Sequence, residues 1–414
     1  MKDIPKSRRL AQGLAPLSHR DYLKYLLGNG ISAAGSQAEV VATSWLLYQL
    51  TDSPALLGLG GLFQALPIFL LVPYAGTMAD RLSPRRLLIT AQWIALANSL
   101  ALGLLTATGW VEPWHVYLQA LLQASVSAFD VTARQALFPR LIPRRELDQA
   151  VSLNFATIRI AMLSGPSIGG LIIAQWGSAP VFFLNAASYL AMLIAVLAIR
   201  ERLADPKTSE DRSVREELFQ GFVFVTRSRV ISPLLLFAAL WGLLSYNPAL
   251  LTIFARDVLH AGPRGLGILM SFGAVGQLAG SLALVGSGGV RHQGSLLFVM
   301  GGLYTAAMIG FSFSRLFFFS TALLAIAGMA HAVFSATRHT ILQRASPDHM
   351  RGRVMGIHLL VTRGVSPLSQ TLTGLLVHGL GPTGALLLAT LMVGAVTAVL
   401  AARNTPLSGD LSSP

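Results

Sequence analysis

The sequence predicts an all-α integral membrane protein with twelve transmembrane helices, arranged as two pseudo-symmetric bundles of six with both termini in the cytoplasm. Its composition, its distribution of charge and an internal repeat support this fold class. Of the 414 residues, 53% are hydrophobic and only 12% are charged, about half the charged fraction of a soluble domain. The chain therefore lacks the charged side chains that a soluble protein of this size needs on its surface.

Apolar stretches recur along the whole chain at lengths suited to a bilayer. About 20 residues of helix cross a hydrocarbon core of roughly 30 Å, and a spanning segment must be helical because lipid offers its backbone no hydrogen bonds. We predict spans at residues 22–50, 55–79, 86–109, 114–137, 149–174, 178–200, 232–258, 265–286, 294–313, 316–340, 353–377 and 382–402.

Lysine and arginine alternate between loops and give the spans an orientation. Of the 31 basic residues, 24 lie in the termini, the long central connector and every second loop, whereas only Arg256, Arg264 and Arg315 lie in the other loops. The positive-inside rule places the basic loops and both termini in the cytoplasm. The basic residues form no continuous stripe, so the net charge of +13 does not indicate nucleic-acid binding.

The central connector divides the chain into domains. Residues 1–200 form the predicted N-terminal bundle, residues 232–403 form the C-terminal bundle, and residues 404–414 form a cytoplasmic tail. Within the connector, 201–231, apolar residues recur at helical spacing over 214–225. This pattern predicts an amphipathic helix on the cytoplasmic surface of the membrane.

The two bundles share a sequence repeat. A shift of 204 residues places Arg134 on Arg338, Arg140 on Arg344, Pro143 on Pro347, Arg159 on Arg363 and Gly170 on Gly374. Because arginine is rare inside membrane helices, these coincidences indicate two related bundles. Paired repeats around a central cavity are the architecture of secondary transporters.

The sequence offers no site for an enzyme or for an ATP-driven pump. It contains no cysteine, no His-Glu-x-x-His motif, and no Lys-Ser/Thr pair after the glycine-rich string at 286–289. We therefore expect no cofactor and no metal. The expected partners are a small-molecule substrate, protons and the lipid bilayer, with no nucleic acid, and we expect the chain to act as a monomer.

Four strings of residues carry a resemblance to a known family. They read G-T-M-A-D-R-L-S-P-R-R over 76–86, F-D-V-T-A-R-Q-A over 129–136, G-P-S-I-G-G over 165–170 and P-D-H-M-R-G-R-V-M over 347–355. In this order, the strings resemble the major facilitator superfamily, in the branch of the enterobactin exporter and related bacterial efflux permeases. The resemblance covers nearly the whole chain and leaves the substrate open, since one scaffold serves many substrates.

The resemblance implies a conformational latch on the cytoplasmic side. In this family the loop after the second span contacts the opposite bundle, which assigns Gly76, Asp80 and Arg81 to the latch. Arg134, near the end of the fourth span, is grouped with them. The alternative is that the arginines of this loop serve only to orient the chain in the membrane.

Proton coupling requires a carboxylate inside the membrane, and Glu39 is our first candidate. An unpaired ionised carboxylate at such depth costs several kcal/mol, so it binds a proton or finds a cation. Glu39 has no cation at neighbouring helical positions, which favours a role as the proton or substrate site. The alternative is a neutral side chain hydrogen-bonded to Ser36 or Thr43.

Asp130 is the second carboxylate within a span. Arg134 follows it by one helical turn at i+4, and Arg159 lies on the next span at a comparable depth, from a rise of about 1.5 Å per residue. We predict an ion pair of Asp130 with one of these arginines. The pair could serve proton coupling or be purely structural.

Arginine inside a span could attract an anionic substrate into a water-filled cavity. Arg159 and Arg363 lie deeper in their spans than Arg134 and Arg338 do, so they are our candidates for the substrate site. For Arg134 and Arg338 we favour side chains that extend to the cytoplasmic interface from near the helix ends.

Glycine and proline interrupt two of the predicted spans. Gly165 and Pro166, followed by Gly169 and Gly170, lie in the fifth span, and Pro367 lies in the eleventh. Proline removes a backbone hydrogen bond and glycine lets helices approach closely. We predict a hinge and packing motif at these positions; the alternative is close packing without a hinge.

Together these features predict a secondary active transporter of the bacterial inner membrane. It would export a small siderophore-like or drug-like organic molecule in exchange for protons, by alternating access. The outward direction follows from the family resemblance alone. The alternative is a gradient-driven permease for an anionic lipid or metabolite.

Overall fold

The structure is a computed structural model that describes residues 14–81, 83–199, 214–228, 231–286 and 293–402. For some helical residues, among them 75–81 and 214–219, it describes the backbone alone. These residues form helices joined by short connections, with no strand among them. The prediction of an all-helical chain is confirmed.

The helices follow the predicted spans closely along the described chain. They are α1 (Arg20–Thr51), α2 (Pro54–Arg81), α3 (Pro84–Thr108), α4 (Pro113–Leu137), α5 (Leu147–Trp176), α6 (Ala179–Leu197), α7 (Val214–Arg227), α8 (Ile231–Leu244), α9 (Pro248–Ile253), α10 (Gly262–Gly286), α11 (Gln293–Phe313), α12 (Phe317–Ala345) and α13 (Asp348–Ala402). Proline is the first residue of α2, α3 and α4, where its missing N–H costs no helical hydrogen bond.

Nine stretches of the described residues are long and apolar enough to cross a membrane. Neither α1 nor α4 is among them, because polar residues lower their mean hydropathy. The last stretch, Met350–Val399, runs through a backbone kink at Gly381, where φ is 71°. This left-handed conformation suits glycine, and Pro382 follows it. The kink lies at the predicted boundary between the last two spans.

The predicted span at 232–258 corresponds to one membrane-length stretch, Ile231–Val258, whose helix is interrupted. Helix α8 ends at Leu244, and α9 begins at Pro248 after three non-helical residues. Proline cannot donate a backbone hydrogen bond, and the side chain of Asn247 accepts one from the backbone N–H of Leu250 as a helix cap. A π-helical turn, Phe254–Val258, follows α9.

The chain divides into two compact units. Unit 1 comprises Met1–Ala42 with Leu70–Glu210, and unit 2 comprises Thr43–Phe69 with Asp211–Pro414. Helices α1 and α2 therefore contribute residues to both units. The division into a bundle at 1–200 and a bundle at 232–403 stays a prediction, as does the tail at 404–414, which lies outside the described residues.

Unit 1 combines an aromatic core with close helix packing. Tyr22, Tyr25 and Phe138 are buried, with ring centroids 6.1 Å from Phe138 to each tyrosine. A Cβ atom added to Gly165 would lie 2.6 Å from the carbonyl oxygen of Ala34. Helices α1 and α5 therefore pack backbone to backbone in this unit, a contact that only glycine allows.

Unit 2 has a core of the same kind. Trp241 stacks on Phe334 with ring centroids 3.9 Å apart, and Phe237 meets Phe334 edge to face. A Cβ atom on Gly276 would lie 1.8 Å from the carbonyl oxygen of Ala325, so α10 and α12 also pack through glycine.

The remainder of α2, residues 54–69, belongs to unit 2 and packs on α13. A Cβ atom on Gly58 would lie 2.7 Å from the carbonyl oxygen of Gln370, and one on Gly61 would lie 2.1 Å from that of Pro367. The hydroxyl of Thr371 donates to the carbonyl oxygen of Gly58 at 2.9 Å. The two helices meet along a surface of small residues.

The predicted amphipathic helix corresponds to α7. Phe222 is 59% exposed, whereas Val225 is buried, and Gly221 lies against Arg353 and Ile357 of α13. The helix thus has one packed side and one exposed apolar ring at its described end. The connector residues 200–213 lie outside the described chain.

Candidate functional site

Glu39 lies in a nest of hydrogen-bond donors inside unit 1. Its side chain is 4% exposed. It accepts hydrogen bonds from the amide of Gln119 at 2.9 Å, from the hydroxyl of Ser99 at 3.2 Å, and from the amide of Asn185. Helices α3, α4 and α6 supply these donors, and no lysine or arginine of the described chain forms an ion pair with Glu39.

The hydroxyl of Ser99 has two acceptors within reach. It lies 3.0 Å from the carbonyl oxygen of Phe182 as well as 3.2 Å from Oε1 of Glu39, and a hydroxyl has one proton to donate. When Glu39 is ionised, the hydroxyl can donate to the carboxylate. When Glu39 is protonated, the acid can donate to Ser99, which then donates to Phe182. The nest can therefore satisfy both protonation states.

Asp130 and Arg134 form the second polar cluster of unit 1. Nε of Arg134 lies 2.7 Å from Oδ2 of Asp130, and the guanidinium also donates to Asn29 and, at 3.4 Å, to Ser32. The other carboxylate oxygen accepts from Gln92 at 2.6 Å. The predicted ion pair between Asp130 and Arg134 is therefore present. The cluster is largely buried, with 15% and 18% of the two charged side chains exposed.

This cluster opens onto a cavity of about 240 Å³ within unit 1. Its polar lining includes Ser36, Gln123 and Tyr189 together with Asp130 and Arg134. The hydroxyl of Tyr189 accepts from Gln123 at 2.6 Å and lies 3.2 Å from the hydroxyl of Ser36. Tyr189 follows Asn185, a donor to Glu39, by one turn of α6. The cavity and the nest around Glu39 therefore share a helix face.

Arg338 of unit 2 is buried, and no carboxylate whose side chain the structure describes forms an ion pair with it. Its side chain is on α12, the residue is 5% exposed, and its Nε has no hydrogen-bond partner among the described residues. Its guanidinium lies 5.6 Å from the ring centroid of Phe334. His358 of α13 is also buried, and its Nε2 has no partner in the described chain.

These positions differ from what we expected of Arg134 and Arg338. Both arginines are buried among side chains of neighbouring helices and do not extend along an exposed surface. The reason is the helix face they occupy, which points into the unit even though both residues lie near helix ends. Arg363, expected deeper, is exposed, and Arg159 is half-buried on α5.

A charged cluster joins α1 to the π-helical turn in unit 2. Arg256 forms an ion pair with Asp52 at 2.7 Å and lies over the ring of Tyr48, 4.6 Å from its centroid. The hydroxyl of Tyr48 donates to Asp257. Sequence reasoning missed this cluster because each charge lies at a helix end, where isolated charges are common.

The predicted latch falls largely outside the described side chains. The backbone of α2 includes Gly76, Asp80 and Arg81, but their side chains and all of Leu82 are not described. Arg85, next to them, donates to the carbonyl oxygens of Val196 at 3.2 Å and Leu197 at 2.9 Å. It therefore binds the last carbonyl groups of α6, a favourable place for a cation.

The predicted hinge residues lie at close helix contacts. Pro166 is buried within α5, and a Cβ atom on Gly169 would lie 2.8 Å from the carbonyl oxygen of Ala38. Gly170 is also buried. Pro367 offers its carbonyl oxygen to the contact with Gly61. Close packing is thus present at each motif, and the hinge itself stays a prediction.

Sequence reasoning missed the polar partners of the two carboxylates. Ser99, Gln119 and Asn185 surround Glu39, and Asn29 and Gln92 surround the Asp130 pair. All five interrupt apolar runs. Polar residues inside membrane helices usually face the protein interior, so their presence was a usable signal. The expected partners of Glu39, Ser36 and Thr43, are not among its donors; Ser36 bonds instead to Ser32 and Tyr189.

Comparison with known proteins agrees with this architecture. Residues 11–411 match the transmembrane secretion effector family. The multidrug efflux pump Tap of Mycolicibacterium fortuitum is 25% identical over 382 residues, which cover 89% of this chain and 93% of Tap. The enterobactin exporter EntS of Shigella boydii is 26% identical over 345 residues, which cover 82% of this chain and 81% of EntS.

Solved transporter structures share the fold. A POT family transporter in complex with a thioalcohol-conjugated peptide superposes with a TM-score of 0.76 at 12% identity, over 94% of this chain and 97% of the other. A bacterial homologue of the iron transporter ferroportin superposes with a TM-score of 0.68 at 18% identity, over 93% and 99%. The chain is a multi-pass membrane transporter for small molecules, and it belongs to the transmembrane secretion effector family of the major facilitator superfamily.

Proposed function

We propose that this transporter exports a small organic molecule across the bacterial inner membrane in exchange for protons. It would act as a monomer with twelve spans and cytoplasmic termini, and it would alternate access between the two membrane faces. The hinge at Gly165-Pro166 and Pro367 and the latch at Gly76, Asp80 and Arg81 are parts of this proposal.

The hydrogen-bond nest around Glu39 carries the proposal. A proton carrier must be stable both with and without its proton during the cycle. Two amides can stabilise the ionised carboxylate of Glu39, and the two acceptors near Ser99 give a protonated Glu39 a route to donate its proton. A carboxylate with a permanent cation, such as Asp130 with Arg134, has less freedom to bind a proton.

The cavity beside this nest supports a substrate path through the same unit. Its volume of about 240 Å³ lies just below the range of about 300–1,000 Å³ that is typical of small-molecule pockets. Tyr189 lines the cavity and lies one turn from Asn185. A substrate at Tyr189 would thus lie near the groups that respond to protonation of Glu39, which is the requirement for coupling.

The relatives suggest the substrate class and the direction. Both of the relatives described above are named as exporters or efflux pumps, one for enterobactin and one for multiple drugs. We infer outward transport of a siderophore-like or drug-like molecule from these names. A gradient-driven permease for an anionic lipid or metabolite is the alternative, and it requires no protonation of Glu39.

Transport in inside-out membrane vesicles tests the coupling. Uptake of ethidium and of 2,3-dihydroxybenzoate is measured with the lumen made acidic. Wild-type vesicles are expected to accumulate at least one probe and to lose it when an uncoupler dissipates the gradient. Glu39→Gln should abolish accumulation, because the amide cannot release a proton, while exchange of labelled for unlabelled probe persists.

The exposed residue Asp148 of α5 provides the matched control. Asp148→Asn removes an acidic side chain from the same unit and is expected to leave accumulation unchanged. Full accumulation by Glu39→Gln would contradict the assignment of the proton site. Accumulation that survives the uncoupler in the wild type would favour the permease and overturn proton antiport.

A further inference from the structure

Arg338, the buried arginine of unit 2, lacks both a counter-ion and a full set of hydrogen-bond acceptors among the described residues. Arg338 is 5% exposed, its Nε has no acceptor, and it forms no ion pair with any described carboxylate. The acidic residues of unit 2 whose side chains the structure describes are Asp52, Asp257 and Asp348, all exposed at helix ends. A cation taken out of water without an anion or a full set of acceptors is strongly unfavourable.

A second unsatisfied group lies close to this arginine. His358 is 8% exposed, and its Nε2 is buried without a partner among the described residues. His339 follows Arg338 directly in the chain, and the imidazole rings of His339 and His358 are 5.4 Å apart. Two buried groups that can donate hydrogen bonds therefore lie in one neighbourhood that lacks an anion.

The internal repeat shows that the carboxylate of unit 1 has no counterpart in unit 2. The shift of 204 residues that aligns Arg134 with Arg338 also aligns Asp130 with Phe334. The carboxylate that pairs with Arg134 at 2.7 Å is thus replaced by an aromatic ring in unit 2. The arginine is present in both halves of the repeat, whereas the carboxylate at i−4 is present only in unit 1.

A second pair of residues that the repeat aligns also differs in its hydrogen bonding. Asn154, which accepts a hydrogen bond from Asn29 at 2.8 Å beside Arg134, aligns with His358. A satisfied amide in unit 1 is therefore matched by an unsatisfied imidazole in unit 2. The two differences remove acceptors from the same neighbourhood, and an external acceptor would restore them.

The surroundings favour an organic anion over an inorganic one. Phe334 lies under the guanidinium and stacks on Trp241, with Phe237 at its edge. These rings are buried in the structure, so an aromatic body attached to the anion would have to insert beside them, while the anion itself would accept from the guanidinium in two parallel hydrogen bonds. His339, next to Arg338, is only partly buried.

We propose that Arg338 and His358 form a binding site in unit 2 for the carboxylate of an aromatic substrate. This inference rests on the proposed transport function and adds the chemical class of the molecule that is carried. Phe334 contributes the apolar contact beneath the anion.

Equilibrium binding to a matched pair of probes tests the site. The pair is 2,3-dihydroxybenzoate and 2,3-dihydroxybenzamide, which share the ring and hydroxyls and differ in the charged group. Binding to the purified full-length chain in detergent is measured by calorimetry without any pH gradient. Hydrogen bonds to a charged group are stronger than those to a neutral one, so we expect the acid to bind at least ~10-fold more tightly than the amide.

Variants then assign the preference to residues. Arg338→Gln is expected to reduce the acid-to-amide ratio to about one, and Arg338→Lys to retain part of it, because an ammonium keeps the charge without the fork of donors. Arg344→Gln, an exposed position on the same helix, should retain the full ratio. The thermal unfolding curve of each variant shows whether the chain is folded.

Two results would overturn the site. One is a wild-type chain that binds acid and amide equally or binds neither, and the other is a folded Arg338→Gln that keeps the preference for the acid. These outcomes are separable from failure of the proposed function. Loss of proton-driven accumulation leaves the binding ratio intact, whereas loss of the ratio leaves transport of a cationic probe such as ethidium intact.

Discussion

The two arginines that the repeat aligns have opposite surroundings. Arg134 in unit 1 has a carboxylate, an amide and a hydroxyl around its guanidinium, and that carboxylate has a donor of its own. Arg338 in unit 2 is more deeply buried and has a phenylalanine ring where the carboxylate would be. Both units contain the same cation at the aligned position, but among the described residues only that of unit 1 has a carboxylate as counter-ion.

The carboxylates are distributed just as unevenly. Glu39 and Asp130 both lie inside helices of unit 1, whereas the described acidic residues of unit 2 are confined to helix ends. A unit with buried carboxylates is suited to protons, and a unit with a buried, uncompensated cation is suited to anions. The contrast indicates that one half of a repeat can bind protons while the other half binds anions in the same transport cycle.

Removing the carboxylate of unit 1 should make the two units alike, and it should have the largest effect on stability. Asp130→Ala leaves Arg134 buried without its counter-ion, which costs about 3 kcal/mol for a buried pair. We expect a clear drop in the thermal unfolding temperature in detergent. Adding Arg134→Met should recover most of the loss, because the uncompensated charge is gone. An Asp130→Ala chain as stable as the wild type would contradict the role of this pair.

Close helix packing is common to both units, and a methyl group tests it in unit 2. In Gly276→Ala the new Cβ would lie 1.8 Å from the carbonyl oxygen of Ala325, so α10 and α12 must separate. We expect a loss of about 1–3 kcal/mol, typical of overpacking, measured by thermal unfolding. Gly302→Ala is the matched control, since nothing lies within 4 Å of its Cβ. Equal stability of the two variants would show that the helices yield without cost.

Giving Arg338 an internal counter-ion should erase the difference between the units. Phe334→Asp recreates in α12 the i, i+4 arrangement of Asp130 and Arg134. The new carboxylate competes with an external anion, so the acid-to-amide binding ratio should fall about tenfold, or ~1.4 kcal/mol. Phe334→Asn is the control, with similar size and no charge. If the Phe334→Asp chain still prefers the acid to the amide, the anion does not bind at Arg338.

The smallest expected effect comes from removing one of the hydrogen-bond donors to Glu39 in unit 1. Ser99→Ala removes one of the three donors to Glu39, worth about 1 kcal/mol as a hydrogen bond. The ionised form loses stabilisation, so the curve of transport against pH should shift by less than ~1 unit toward higher pH. The measurement is probe accumulation in vesicles across pH 5 to 9. A shift toward lower pH would show that Ser99 mainly serves the protonated form.

The helices were largely predictable because a bilayer imposes length and apolarity on each span. The break at Ser245–Asn247 was not predicted, although Asn247-Pro248 is a sequence that caps and starts a helix. Within the site, Glu39 and the Asp130–Arg134 pair followed from the rarity of charges in spans. Their amide and hydroxyl partners come from other helices, and sequence spacing on one helix does not say which neighbours will face it.

The arginines show a second limit of sequence reasoning. Depth along a span favours Arg159 and Arg363 over Arg134 and Arg338 as site residues. Rotation about the helix axis proved more important, because it decides whether a side chain near a helix end points into the unit or outward. Arg363 is exposed and Arg338 is buried, although Arg363 lies deeper in its span.

The contact of Gly58 with α13 has a consequence for how the protein is made. Its partners, Gln370 and Gly374, follow it by more than 300 residues, so synthesis at about 5–20 residues per second separates them by roughly 15–60 s. During this interval the glycine surface of residues 54–69 lacks α13, the helix on which it packs in the folded chain. Asp52 likewise lacks its ion-pair partner until Arg256, 204 residues later, has been synthesised. Assembly of this surface is therefore a late event in biogenesis, and a nascent chain that stalls before α13 would expose a segment fit for capture by membrane chaperones or proteases.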